Sequence, residues 1–364
     1  MKIGLVSNMY PSENDKNYGV FVKGLVDSMS KKGVEFSFTA VIKGKQNGRW
    51  QKIWAYLKLY FSAVFNLLFK ECDIVFLHYP LHLAPLIYMM NIFMIKPLVV
   101  NFHGTDMNPQ SKGLQVLENI LKRSLDNVKM VVVPSSFLKK EVMKKYGVPE
   151  EKIFVSPSGG VDFDKFRSFD DNPAAVKPYL AGYVSRLTKE KGCDVFVEAV
   201  SVLNSNGLVV GKKILIAGTG PMQSEISEMI KTAGLSEVID IKNINDQSML
   251  PQFFNEMDVF VFPSLSESLG LVGLEAMACE TPVIGSEIGG ISDYLTDGEN
   301  GYFFKAGDSS DLAGKIRQFM MLSKIEKMRF KENAKNTATQ YERDRVVINL
   351  IRRFEEILLL RETK

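Results

Sequence analysis

Phe262-Pro-Ser-Leu-Ser-Glu-Ser-Leu-Gly-Leu-Val-Gly-Leu-Glu-Ala-Met-Ala-Cys-Glu-Thr-Pro-Val-Ile-Gly-Ser286 reads as a strand end, a loop, a helix and a second strand. The strand Val259–Phe262 stops at Pro263, a Ser/Glu loop follows, and a helix starts near Leu269–Leu271 before the apolar run Pro282–Gly285. Apolar strand, polar loop, helix and apolar strand, in that order, build parallel sheets covered by helices. Free N–H groups at the helix start, reinforced by the helix dipole, form an anion site around Gly270 and Leu271. Glu267 precedes the helix and Glu275 lies about one turn inside it. A carboxylate at the second position accepts from both hydroxyls of a ribose, as the acidic residue of dinucleotide folds does. Glu267 is placed for the hydroxyls of a different group beyond the phosphates. Two glutamates at this spacing are common, and Glu275 also has a plainer reading as a dipole partner of the first turn.

Outward from this stretch the same alternation continues. Lys2–Ser7, Val34–Val41, Asp73–His78, Pro97–Phe102 and Met130–Val133 are strand-like runs in the first half, with a helix through Val20–Lys32. Ala181–Ser185, Lys213–Ala217 and Val238–Ile241 precede Val259–Phe262 and Pro282–Gly285 in the second. Two such series predict an α/β protein with two Rossmann-like, doubly wound parallel-sheet domains, 1–160 and 161–340. The join falls within Ser156–Pro178, punctuated by Pro157, Gly159, Gly160, Pro173 and Pro178, and Tyr341–Leu360 reads as a final amphipathic helix.

The 364 residues suit two domains, and 46% hydrophobic with 24% charged residues is a globular balance. The net charge of +3 indicates no nucleic-acid partner, yet residues 1–160 hold 21 Lys and Arg against 12 Asp and Glu. Cys72, Cys193 and Cys279 are too scattered for a disulfide framework or a cysteine zinc site. The apolar run at the N-terminus is too short for a signal-peptide core, which predicts a cytoplasmic location. Leu59–Phe69 and Leu83–Ile95 fall short of a membrane span and are interrupted by Asn66, Pro85 and Asn91.

Further chemistry-bearing segments sit at strand ends. Gly218-Thr-Gly220-Pro221 follows one strand, where glycines let the backbone approach a phosphate or base, or simply make a tight turn. Ser185-Arg186-Leu187-Thr-Lys-Glu-Lys191-Gly192 puts two cations on a loop, as a diphosphate clamp or as a solvated turn. Tyr18-Gly19-Val20 closes the first strand–helix loop, and Phe102-His103-Gly104-Thr105-Asp106 lies at another strand end. Asp162-Phe-Asp164 matches the Asp-x-Asp of metal-dependent transferases, which leaves a metal role open from the residues alone. His78 and His82 are four apart, but Pro80 between them argues against one helix presenting both to zinc, so both are expected at strand ends.

Together these segments resemble the retaining glycosyltransferase family 4, which has the GT-B fold. The Glu-x7-Glu signature is Glu267…Glu275, within Pro-Ser-x-x-Glu-x-x-Gly-Leu…Glu-Ala-Met-Ala, and the likeness runs from Gly19 through Gly159-Gly160-Val161-Asp162 to Gly289-Gly290 and Asp297-Gly-Glu-Asn-Gly301. The resemblance implies two domains facing a cleft, with the helix at about 341–364 crossing back to the first. It also implies a nucleotide-diphosphate sugar, most commonly UDP-linked, with no cofactor and no metal. Arg186 and Lys191 would hold the diphosphate with amides near Gly270 and Leu271, Glu275 the ribose, and Glu267 the transferred sugar. Gly218 and Gly220 would border the donor, Asn243 and Ile244 the base, while Gly19 and His103 would approach from the first domain. Ser185, Ser268-Leu269 and Tyr18 depart from the family pattern, the last narrowing the space near the donor phosphates. A nucleotide-sugar 2-epimerase of the same fold and a non-catalytic nucleotide-sugar-binding module are the competing readings.

One segment bears on the acceptor. No acidic residue stands between Glu35 and Glu71, whereas Lys43, Lys45, Arg49, Lys52, Lys58 and Lys70 are basic. Trp50 and Trp54, the two tryptophans of the chain, fall with Leu57, Phe61, Phe65 and Leu68 on one helical stripe. Such a stripe suits an anionic membrane surface, on the inner face of the cytoplasmic membrane, and a saccharide or lipid-linked acceptor of the cell envelope. The alternative buries the stripe against the first sheet.

Overall fold

The computed structural model describes residues 1–16, 18–93, 96–107, 109, 111–169, 177–244 and 246–362. Pro173 at the join and Ile95 at the end of an apolar run lie outside the described residues. The chain divides into two compact units, Met1–Gly160 with Arg343–Lys364, and Val161–Glu342.

The first unit alternates β1 (Lys2–Tyr10), α1 (Val20–Lys31), β2 (Glu35–Lys43), α2 (Arg49–Phe69), β3 (Ile74–His78) and α3 (Pro80–Phe93). It continues with β4 (Leu98–Asn101), α4 (Lys112–Ser124), β5 (Met130–Val133), α5 (Ser136–Tyr146) and β6 (Ile153–Val155). The strands form one six-stranded sheet in the order β2-β1-β3-β4-β5-β6, and every pairing is parallel. Burial on both faces explains the continuous apolar runs: β3, β4 and β5 are buried throughout. Leu59, Ala63 and Leu67 of α2 pack on one face with Leu81 of α3, Leu121 of α4 and Val142 of α5. Leu25 and Met29 of α1 cover the other.

The second unit runs β7 (Tyr179–Val184), α6 (Cys193–Ser205), β8 (Ile214–Ala217), α7 (Gln223–Thr232), β9 (Ile239–Lys242) and α8 (Leu250–Asn255). Then follow β10 (Met257–Phe262), α9 (Leu271–Ala278), β11 (Val283–Ser286), β12 (Gly301–Phe304), α10 (Ser309–Met320) and α11 (Lys324–Thr339). Its sheet, also parallel, has the order β12-β11-β10-β7-β8-β9. The winding reverses between β7 and β10, and in the first unit between β1 and β3. Ligand crevices in such sheets open at the carboxyl ends of the strands flanking that reversal. The last helix, α12 (Arg343–Glu362), belongs to the first unit, where Val347, Leu350 and Phe354 are buried against Phe76 and Ile74.

The ten strand-like runs expected from the sequence shift by one to three residues at their ends. Two edge strands, β6 and β12, carry no such expectation, because three or four residues beside prolines and glycines give too short a pattern. The chain leaves the first unit through Ser158, Gly159 and Gly160, all at positive φ (45°, 84° and 73°), and the Val161 amide then donates to the Tyr341 carbonyl at 2.8 Å. Pro80 opens α3 rather than barring it, since its missing N–H is unneeded at a first position. His78 therefore ends β3 as expected, whereas His82 sits in the first turn of α3, stacked on Tyr56 (centroids 5.8 Å apart).

Candidate functional site

In the second unit, the loops after β7 and β10 are tied together at the reversal point. The Leu265 amide donates to the Glu190 carbonyl at 2.8 Å. Lys191 Nζ lies 2.6 Å from Glu267 Oε2, both side chains mostly shielded from solvent, and 6.0 Å above the Phe262 ring. Lys189 on the same loop is engaged elsewhere, by the buried Asp194 carboxylate of α6. Arg186 is exposed and makes no ion pair among the described residues. The structure brings Lys191 and Glu267, two residues singled out in the sequence, into contact, while Arg186 stands on the same loop as Lys191 with no ion pair among the described residues.

Glycines let these loops close on each other. A Cβ on Gly218 would stand 1.9 Å from the Ser185 carbonyl oxygen, and one on Gly220 2.3 Å from that of Leu187. The backbone of the neighbouring loop is enough to demand glycine at both positions. Gly270 caps α9 at φ 81°, where a Cβ would meet the Phe262 ring at 2.6 Å. The Tyr294 hydroxyl donates to the Gly270 carbonyl at 3.0 Å and fixes the start of the eight-residue α9. Leu271 and Glu275 follow on that helix, half-buried. Asn243 accepts from the Gln223 amide at 3.4 Å, and Ile244 packs into the apolar cluster around Phe253 and Phe262. The Asp162 carboxylate accepts the Asp164 amide at 3.2 Å, a turn beside the join. Among the described residues no group of three or more His, Cys, Asp and Glu is arranged to hold a metal ion.

In the first unit, His103 follows β4 and Gly19 closes the loop after β1. Gly19 has φ 70°, and a Cβ there would stand 2.6 Å from the Met9 carbonyl. His78 Nδ1 and His103 Nε2 are 3.0 Å apart in a shared hydrogen bond. Burial holds the His78 imidazole well below its ordinary value and pushes His103 down to about 3. Both rings are therefore neutral, one donating and the other accepting. Phe21 and Tyr79 enclose His103 at centroid distances of 4.9 and 4.4 Å. Beneath it, Asp106 Oδ1 accepts the His103 and Gly104 amides at 3.1 and 2.8 Å. Burial raises this carboxyl to about 6. His78 Nε2 and Asp106 Oδ2 are buried with no hydrogen-bond partner among the described residues. Sequence reasoning left both residues without a role; the cue was a His ending a strand beside the reversal.

The candidate membrane residues lie on α2. Trp50 and Trp54 are exposed, as are Lys52 and Lys58, so the alternative that buries the stripe against the sheet does not hold.

Comparisons with known proteins agree with this architecture. Residues 27–165 match the family described as Glycosyltransferase Family 4, and residues 164–337 match Glycosyl transferases group 1. The capsular polysaccharide biosynthesis glycosyltransferase CapM of Staphylococcus aureus is 31% identical over 202 residues, 52% of each chain. A D-inositol 3-phosphate glycosyltransferase of Paenarthrobacter aurescens is 31% identical over 200 residues, 53% of this chain and 49% of that one. The chain spans about half the length of these curated relatives in those matches. HepE of Anabaena in complex with UDP superposes with a TM-score of 0.76 at 17% identity, over 98% of this chain and 100% of that one. Sucrose-phosphate synthase of Thermosynechococcus elongatus gives 0.78 at 16% identity, over 99% and 100%. These likenesses show the fold. With two parallel-sheet units, one matching each half of the family, the chain belongs to the GT-B glycosyltransferases of family 4.

Proposed function

We propose that the protein transfers a sugar, with retention of anomeric configuration, from a nucleotide-diphosphate donor to a saccharide or lipid-linked acceptor of cell-envelope polysaccharide or glycolipid. The observation that carries this reading is the Lys191–Glu267 contact of 2.6 Å at the reversal of the second sheet, ahead of the α9 start. A cation, an uncommitted guanidinium on the same loop and the first amides of α9 suit a diphosphate. The carboxylate that holds Lys191 suits a sugar hydroxyl. UDP is the proposed nucleotide, by analogy with HepE bound to UDP, and a cell-envelope polysaccharide the proposed product, by analogy with the name of CapM.

In the proposed reaction the bond between the anomeric carbon and the diphosphate oxygen breaks, leaving an oxocarbenium-like centre. The acceptor oxygen bonds to that carbon on the same face, and its proton passes to the departing phosphate oxygen. Arg186, Lys191 and the amides near Gly270 and Leu271 stabilise the negative charge that accumulates on the leaving group, without a divalent ion. Glu275 holds the ribose. His103, kept neutral, is a hydrogen-bond partner for the sugar rather than a nucleophile or a charge.

Incubation with a panel of nucleotide sugars tests this. Slow donor hydrolysis, and transfer once an acceptor is supplied, is the expected outcome. Arg186→Ala, Lys191→Ala and Glu275→Ala should each lower turnover by about 100-fold or more. Isomer formation would indicate the epimerase, binding without turnover the binding module, and near-normal turnover in all three variants a wrong site.

A further inference from the structure

The 21-residue helix α2 has an unusual division of faces. Its inner side, Leu59, Ala63 and Leu67, is buried against Phe38, Ala40 and Ile42 of β2. A helix covering a sheet ordinarily turns polar residues outward. Here the outward stripe is Trp50, Trp54, Leu57, Phe61, Phe65 and Leu68, with Trp50 74%, Trp54 70% and Phe61 73% exposed. The rings of Phe61, Phe65 and Phe69 follow one another along the helix, at centroid distances of 6.0 and 4.7 Å. The Tyr60 hydroxyl ties α2 to the His82 carbonyl of α3 at 2.6 Å, and α3 exposes Ile92 and Phe93 at its far end.

The charge around the stripe is of one sign. Residues 36–70 contain no Asp or Glu. Lys43, Lys45, Arg49, Lys52 and Lys58 are all exposed, and none makes an ion pair among the described residues. Pairing this face with the same face of a second copy would set two basic belts against each other, which disfavours self-association. An anionic surface with an apolar interior satisfies both features at once. No described helix is long and apolar enough to cross a membrane, so the stripe suits a helix lying in the interface.

We propose that the outer face of α2 seats the first unit on an anionic lipid bilayer. The helix axis lies in the plane of the interface, the Trp and Phe rings enter the headgroup–acyl boundary, and Arg49 at the start of the helix and Lys58 beside the stripe meet lipid phosphates. The proposal stands apart from the transfer reaction, since neither donor nor acceptor enters it.

Trp50 and Trp54 are the only tryptophans of the chain, so intrinsic fluorescence reports on this face alone. The full chain is titrated with vesicles of phosphatidylcholine, or of phosphatidylcholine mixed with phosphatidylglycerol, and sedimented. The mixed vesicles should shift Trp emission to the blue and carry the protein down, with the effect weakening as salt rises. Phe61→Glu, and Arg49→Glu with Lys58→Glu, should each weaken partitioning by about ten-fold or more, with circular dichroism and donor hydrolysis unchanged. Unshifted emission with both vesicle types, equal partitioning of the variants, or equal binding to phosphatidylcholine alone would overturn the proposal. So would a blue shift on concentrating the protein without lipid, accompanied by dimer formation, which would assign the face to a second copy.

Discussion

Asp106 shows what a single buried group contributes in this fold. One carboxylate oxygen serves the His103 and Gly104 amides, and the other is buried without a partner among the described residues. Its folded value of about 6 lies above the ordinary 3.8, so between about pH 4 and 6 the folded chain binds a proton that the unfolded chain releases. Its contribution to stability is full below that window and lost as pH rises through it. Asp106→Asn keeps an acceptor oxygen for both amides and removes the charge. Urea unfolding should show this variant stabilised by about 1–3 kcal/mol at pH 7 and not at pH 4; an equal gain at both would contradict the assignment. His103 acts in the opposite sense. Its folded value of about 3 is below the ordinary 6.5, so its contribution is present above pH 6.5 and lost as pH falls towards 3. The sequence marks His103, Lys191 and Glu267 because each ends a recognisable strand or precedes a recognisable helix. It does not mark His78 as the partner of His103, because that pairing depends on β3 lying beside β4 with His78 opposite Asn101.

At the scale of elements, the start of α9 is the part most sensitive to a small change. Gly270 combines a left-handed backbone with a ring at 2.6 Å from where a Cβ would stand, and Tyr294 then pins its carbonyl. Gly270→Ala therefore has to shift either Phe262 or the first turn. It should cost about 2 kcal/mol in urea unfolding and weaken nucleotide binding; unchanged stability and affinity would show that the helix start tolerates a side chain. Strands buried on both faces were legible because their apolar runs are uninterrupted. The glycine loops were legible only in part. The residue type announced a close approach at Gly218 and Gly220, but that the approaching group is the Ser185–Leu187 backbone depends on β7 and β8 being neighbours.

For the molecule as a whole, the return of α12 to the first unit is the feature that joins distant parts of the sequence. Phe354 is fully buried with its ring edge-on to Phe76 at 5.1 Å. Phe354→Ala should lower the stability of the first unit by about 3–5 kcal/mol, measured by urea unfolding; a change below that would place α12 outside the core. Periodicity predicted this helix, but only the family likeness assigned it to the first unit, since local pattern holds no information on which sheet a helix covers. The units also differ in charge: 27 basic against 16 acidic residues in the first, 18 against 26 in the second. The proposed donor diphosphate, if it binds the acidic unit, needs local cations and amides to hold it. Titration calorimetry of UDP into the full chain dialysed against EDTA, with Lys191→Ala and Arg186→Ala alongside, tests that directly. UDP should bind in EDTA, with each variant weaker by about ten-fold or more; binding that requires added magnesium or manganese, or that survives both substitutions unchanged, would contradict it.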